Sequence, residues 1–188
     1  MLNIVEMLCD NRLEIDGGIF MESFRIENAL LSLEGGKFQR LCEELAWHAN
    51  PGYSIQSYGG SLGSDKTTTG HPDILLKSKT ADEYVLIECT AQRSNLEKKA
   101  IEDVEACLDK RRTGIDISQI KKIVFYHVNQ GLDAGTESTI REMLSQHSIE
   151  FLSQGILEIT MQLKCHYPSL IQEFLHIYVP FEQCVFGI

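Results

Sequence analysis

GHPDILLKSKTADEYVLIECTAQ, residues 70–92, decides how the chain is read. Pro72–Asp73 leads into the short apolar run DILLK, and a polar break follows over Ser78–Glu83. A second run, YVLIECT, then carries a lone acid, Glu88. Two runs of this length around a turn predict the strands of an antiparallel hairpin. Side chains alternate faces along a strand. Val85, Ile87, Cys89 and Ala91 therefore share one face, and Leu86, Glu88, Thr90 and Gln92 share the other, with Gln92 at the strand end. A hairpin register brings Asp73, which opens the first strand, towards Glu88. Pro-Asp is ordinary turn chemistry and a strand glutamate can simply face water, so neither acid alone is informative. Together they say more. Glu88 is flanked by residues that suggest burial, and a buried carboxylate needs a partner or a metal. Two carboxylates converging beside the Gly-rich loop GGSLGSDKTTTG (residues 59–70) form a candidate Mg2+ site, because magnesium takes one or two carboxylates and completes its shell with water and phosphate oxygens. Such an ion activates water and stabilises an in-line displacement at phosphorus.

Working outward, residues 22–33 read as a helix anchored by Phe24, Leu30, Leu31 and Leu33, after a weaker helical pattern over 1–20. Residues 37–48 form a clear amphipathic helix with Phe38, Leu41, Cys42 and Leu45 on one face. Glu44 lies on the flank of that face and Glu43 nearly opposite it. Tyr53–Tyr58 alternates like a strand. Residues 95–112 predict a helix of about four turns, its apolar face made of Leu96, Ala100, Ile101, Val104, Cys107 and Leu108. Ile120–Val128 reads as a buried strand, Thr136–His147 as a helix and Ile149–Leu152 as a short strand. Helical segments follow near Ile156–Lys164 and Ser169–His176. The final ten residues, VPFEQCVFGI, read as a strand or as a stub running into a further domain. This order of elements predicts a mixed α/β layer sandwich.

The 188 residues suit one domain with a sizeable core, spanning 1–188, and 43% apolar with 23% charged residues is a globular composition. No stretch approaches the roughly 20 apolar residues of a membrane span. The start of the chain lacks the pattern of a signal peptide, so no membrane association and a cytoplasmic location are expected. Six scattered cysteines with no CxxC pair argue against a zinc site and for free, buried thiols in a reducing compartment. A net charge of −10 argues against strong autonomous nucleic-acid binding, since that affinity is mostly phosphate neutralisation. It leaves room for a nuclease whose acids are neutralised by metal.

The pattern of Pro72–Asp73, then Ile87–Gln92 (IECTAQ), then a helix with the paired lysines Lys98 and Lys99 resembles the PD-(D/E)XK, or restriction-endonuclease-like, nuclease superfamily. The preceding helix with Phe38, Gln39 and Glu44 looks like its first core helix, whose glutamate often joins the site. More closely, the G-x-PD loop and the E-x-T-x-Q strand resemble the N-terminal effector nuclease of bacterial antiphage STAND-type NTPases. The resemblance covers roughly residues 36–130. It implies an α/β/α core, a central mixed sheet flanked by helices, over about 36–152, with helical additions at 1–34 and 153–188. It also implies an Mg2+- or Mn2+-dependent deoxyribonuclease in which Asp73, Glu88 and Glu44 bind the metal. Double-stranded DNA is the implied substrate. Cleaving two strands needs two sites, which favours a dimer, or clustering as the excised effector arm of a longer defence protein.

One position departs from the family. The lysine expected two residues past the glutamate is Thr90, which supplies no cation and no base. Three readings stay open. Gln92 orients the attacking water, or Lys98 or Lys99 supplies the cation from the following helix, or the site is inactive. Asp65 and His71 are further candidates near the metal, and Lys66 with Thr67–Thr69 for a DNA backbone, although each also reads as ordinary loop polarity. Cys89 points to the opposite, core-facing side and is a poor nucleophile candidate. There is no Walker loop, HExxH or GxSxG. The rival classes are a non-catalytic module of the same fold, and an interaction domain whose acidic face binds a basic protein.

Overall fold

The computed structural model describes residues 22–56 and 72–178. Residues 22–31 are helical (α1). There follow α2 (Gly35–Ala49), β1 (Tyr53–Gln56), β2 (Ile74–Ser78), β3 (Tyr84–Thr90), α3 (Leu96–Leu108), α4 (Lys110–Thr113) and a single 3-10 turn at Ile117–Gln119. The chain continues through β4 (Ile120–His127), α5 (Ala134–Ser145), β5 (Glu150–Gln154), α6 (Ile156–His166) and α7 (Pro168–Leu175). The expectations for residues 1–20, Ser57–Tyr58, Asp65, Lys66, Thr67–Thr69, His71 and 179–188 lie outside the described residues, as do Cys9 and Cys184.

The five strands make one open sheet in the order β1-β2-β3-β4-β5. β1, β2 and β3 are antiparallel neighbours, whereas β3–β4 and β4–β5 are parallel. Parallel pairing requires a crossover, and α3 and α5 supply the two. The alternation read from the sequence is what divides the core. Val85 and Ile87 face a layer with Phe38, Leu41 and Cys42 of α2 and Ile159 and Leu163 of α6, with Cys89 and Ala91 packed against it. Leu86 faces the other layer, with Val104 and Cys107 of α3 and Ile140 and Leu144 of α5. Helices on both faces of a mixed sheet make the mixed α/β layer sandwich that the order of elements predicts, an arrangement compatible with an α/β/α core.

The helix expected over 95–112 breaks at Asp109, which is extended (φ −82°, ψ 101°). Its carboxylate accepts the Arg111 N–H at 2.9 Å and so caps a new turn. That turn stops at Gly114, whose φ of 71° favours a residue without a Cβ. β5 runs to Gln154, two residues beyond the expected Leu152, because Phe125 and Tyr126 still offer partners to Ser153 and Gln154. Cys42, Cys89, Cys107 and Cys165 are free thiols; Cys165 is exposed, not buried. Among the described residues no helix is long and apolar enough to cross a membrane.

Candidate active site

The site forms where β2 begins and β3 ends. Ile74 pairs with Ile87 in the hairpin, so one residue further out Asp73 stands opposite Glu88. The Asp73 Oδ2 accepts the Cys89 backbone N–H at 2.8 Å, which fixes the acid against β3. From α2, the Gln39 side-chain amide donates to the Asp73 carbonyl at 3.2 Å. Glu88 is 1% exposed. Its Oε1 accepts from the Cys107 thiol of α3 at 3.3 Å. The hairpin thus brings the two sequence-predicted acids together.

Burial is the main force on Asp73 and pushes its carboxyl up to about 7; the charge of Glu88 raises it next, the Cys89 N–H opposes, and contact with Glu88 and the charge of Asp103 add to the rise. Two carboxylates forced together where water is partly excluded do not both ionise easily. At neutral pH Asp73 is therefore poised between its protonated and its ionised form.

A third acid enters from α3. Asp103 is 2% exposed and contacts the Lys99 ammonium one turn back. Lys99, Asp103 and Cys107 are spaced by four, so they form one stripe of the helix. Burial works against the charge on Lys99, but contact with Asp103 and the charges of Asp103, Glu88 and Asp73 outweigh it and raise its pKa. Lys98 has a different setting: its side chain is 77% exposed and pairs with Glu102 at 3.6 Å. Periodicity left the two lysines equal; the structure brings Lys99 to the acids and leaves Lys98 in solvent.

Gln92 does not take the position its strand parity suggests. β3 ends at Thr90, and the exposed Gln92 turns its side-chain amide onto the Ser94 carbonyl. Its N–H donates to the Thr90 hydroxyl at 3.1 Å, and its carbonyl accepts from Asn129 at 2.9 Å. Thr90, 7% exposed, therefore serves the turn into α3. Glu44 is not brought to the pair either. Its side chain is 42% exposed and lies 4.0 Å from His48. The α2 stripe facing Asp73 carries Gln39, and Glu43 follows one turn later, whereas Glu44 lies well round the helix from it. Glu43 is half-buried, which raises its pKa, with Glu44 adding and Arg40 opposing. Cys89 lies on the α2 face beside Cys42, and burial pushes its thiol up, ahead of contact with Cys42 and the charges of Asp73 and Glu88. A thiol held protonated is a poor nucleophile.

Sequence reasoning missed Asp103 and His127. An acid among Ala100, Val104 and Cys107 on an apolar stripe was the available signal for Asp103. His127 closes β4 directly beside Thr90 in the parallel register and is fully buried. Its Nδ1 accepts the Asn129 N–H at 3.3 Å, which leaves the proton on Nε2, 3.0 Å from the Ser153 hydroxyl. In that tautomer it donates to Ser153 and takes no proton from it. Burial lowers its pKa, against the charge of Glu158 and the Asn129 contact. His127 is thus a neutral pin between the ends of β4 and β5. Gly155 completes that corner: a Cβ there would meet the Asn129 and Gln130 carbonyls at 2.7 and 2.9 Å.

Among the described residues no three His, Cys, Asp or Glu side chains are grouped to hold a metal. Asp73 and Glu88 offer two carboxylates, which fits a hard cation that keeps most of its water. Burial, then the charge and contact of Glu88, push the Cys107 thiol well up, so it stays protonated and supports Glu88 as a hydrogen-bond donor. An open groove runs from Lys99 and Asp103 along α3 past Glu105 and Asp109 to Arg112. No family model matches this sequence, and comparison with curated proteins and with solved structures finds no match.

Proposed function

We propose that this domain is a divalent-metal-dependent deoxyribonuclease of PD-(D/E)XK type, serving as the effector part of a bacterial antiphage protein. The observation that carries the reading is the pairing of half-buried Asp73 with buried Glu88 at the end of the β2–β3 hairpin, with the charge of Lys99, seated on Asp103, acting on both acids. The mixed sheet flanked by helices is compatible with that fold. The DNA substrate and the antiphage role rest on the resemblance of the Pro72–Asp73 and Glu88–Gln92 patterns to those effector nucleases.

Asp73 and Glu88 would hold Mg2+ or Mn2+, which when bound supplies an activated water and neutralises charge on a phosphodiester. Asp73 gives up its proton to take the cation. Cys107 holds one oxygen of Glu88 and so fixes the carboxylate against α3. Lys99 supplies the positive charge that Thr90 lacks, placed to stabilise negative charge developing on the scissile phosphate. A chain of net charge −10 binds a polyanion weakly on its own, so the reading places the domain at work when paired or clustered. A non-catalytic module of the same fold is the second reading; it is favoured by Gln92, which is spent on the turn into α3.

Plasmid cleavage with Mg2+ and with Mn2+, at matched high protein concentration, tests the proposal. Nicking and linearisation that require both the cation and Glu88 support it. A folded wild type that leaves plasmid intact under enforced clustering, or a Glu88→Ala variant that cleaves as well as wild type, refutes it.

A further inference from the structure

We propose that Asp103 is a positioning residue: it holds the Lys99 ammonium at the Asp73–Glu88 pair, so that α3 supplies the cation missing from the strand. The inference rests on the nuclease reading and assigns a role to an acid that reading does not use.

The argument begins with where Asp103 sits. An aspartate on the apolar stripe of a helix, 2% exposed, is costly to bury unless it is paired. Its partner is Lys99, at the spacing where one helix turn brings side chains together. Lys99 itself is only one-third exposed. A flexible four-carbon side chain in that position has an alternative, which is to extend into solvent as Lys98 does. Asp103 removes the alternative by offering a buried charge partner. The same helix stripe continues to Cys107, whose thiol holds Glu88 at 3.3 Å. One face of α3 therefore fixes both the acid and the cation of the site. The pairing also explains why Lys99 and not Lys98 is chosen, since Glu102, the equivalent partner of Lys98, is itself exposed.

Two measurements on the intact chain test this. In metal-free protein, acetylation of lysines by acetic anhydride, read by mass spectrometry, reports whether Lys99 is held. Lys99 is expected to react several-fold more slowly than Lys98 in wild type, and Asp103→Asn should abolish the difference. Equal labelling of the two lysines in wild type overturns the positioning role whether or not DNA is cleaved. In cleavage at saturating Mn2+, Lys99→Met is expected to lower kcat about a hundredfold and Asp103→Asn about tenfold, with Asp103→Glu recovering part of the loss. The double variant should be no worse than Lys99→Met alone, because residues that act as one unit are not additive. Additive losses, or an Asp103→Asn variant with full kcat, overturn the role while leaving the nuclease reading intact. A wild type that cleaves nothing overturns both.

Discussion

Replacing Asp73 by asparagine should stabilise the metal-free protein at high pH while removing its proposed activity. In the folded state Asp73 holds its proton up to about 7, against an ordinary 3.8. The folded chain thus binds more protons than the unfolded chain across that window, and stability falls as pH rises through it. The slope is about 1.4 kcal/mol per pH unit for one group. Between pH 5 and 8 the wild type should therefore lose about 3 kcal/mol from this group alone. Asparagine cannot ionise, keeps an oxygen for the Cys89 N–H, and carries no such slope. The assay is urea unfolding of both proteins in chelator at pH 5, 6, 7 and 8. The difference between the two stabilities should grow by about 3 kcal/mol over that range in favour of the variant. Comparing differences cancels the fixed cost of exchanging a protonated acid for an amide. A difference that stays constant within about 0.5 kcal/mol from pH 5 to 8 would refute the claim that Asp73 is forced to share a partly buried site with Glu88.

Lys98→Ala should change stability by less than about 0.5 kcal/mol, because its pair with Glu102 is exposed, and should leave cleavage at the wild-type rate. Gly155→Ala should cost about 1–3 kcal/mol in urea unfolding, since its Cβ would meet two backbone carbonyls that cannot swing aside. Asp133 caps α5, accepting the Thr136 N–H at 2.9 Å and its hydroxyl at 2.6 Å, so Asp133→Ala should cost about 1 kcal/mol without affecting metal binding.

The strand pattern made the hairpin legible, because a period of two forces every other residue to the same face. Val85 and Ile87 separate from Leu86 and Glu88 as the alternation requires, and the register then set Asp73 opposite Glu88. What alternation could not say was where the strand stops. Gln92 keeps strand parity in the sequence, but the chain turns after Thr90, whose hydroxyl takes the Gln92 N–H. Helix periodicity likewise placed Lys98 and Lys99 on opposite flanks of one stripe with nothing to choose between them. The choice came from a contact, the buried Asp103, and a buried acid on an apolar stripe is visible in sequence only as an exception to the pattern. Glu44 illustrates the same limit on α2. Which α2 stripe faces Asp73 depends on how the whole helix is rolled against the sheet, and Gln39 reports that through its bond to the Asp73 carbonyl.

The most direct test of the central claim, that Asp73 and Glu88 form a divalent-cation site, is calorimetric titration of Mn2+ into metal-free protein, repeated at pH 6 in two buffers of different ionisation enthalpy. The account predicts binding that is lost in Asp73→Asn and Glu88→Gln, with about one proton released per ion at pH 6, since a carboxyl that titrates near 7 must ionise to take the metal. Absence of binding by the folded wild type, or binding that persists unchanged in both variants, would contradict it.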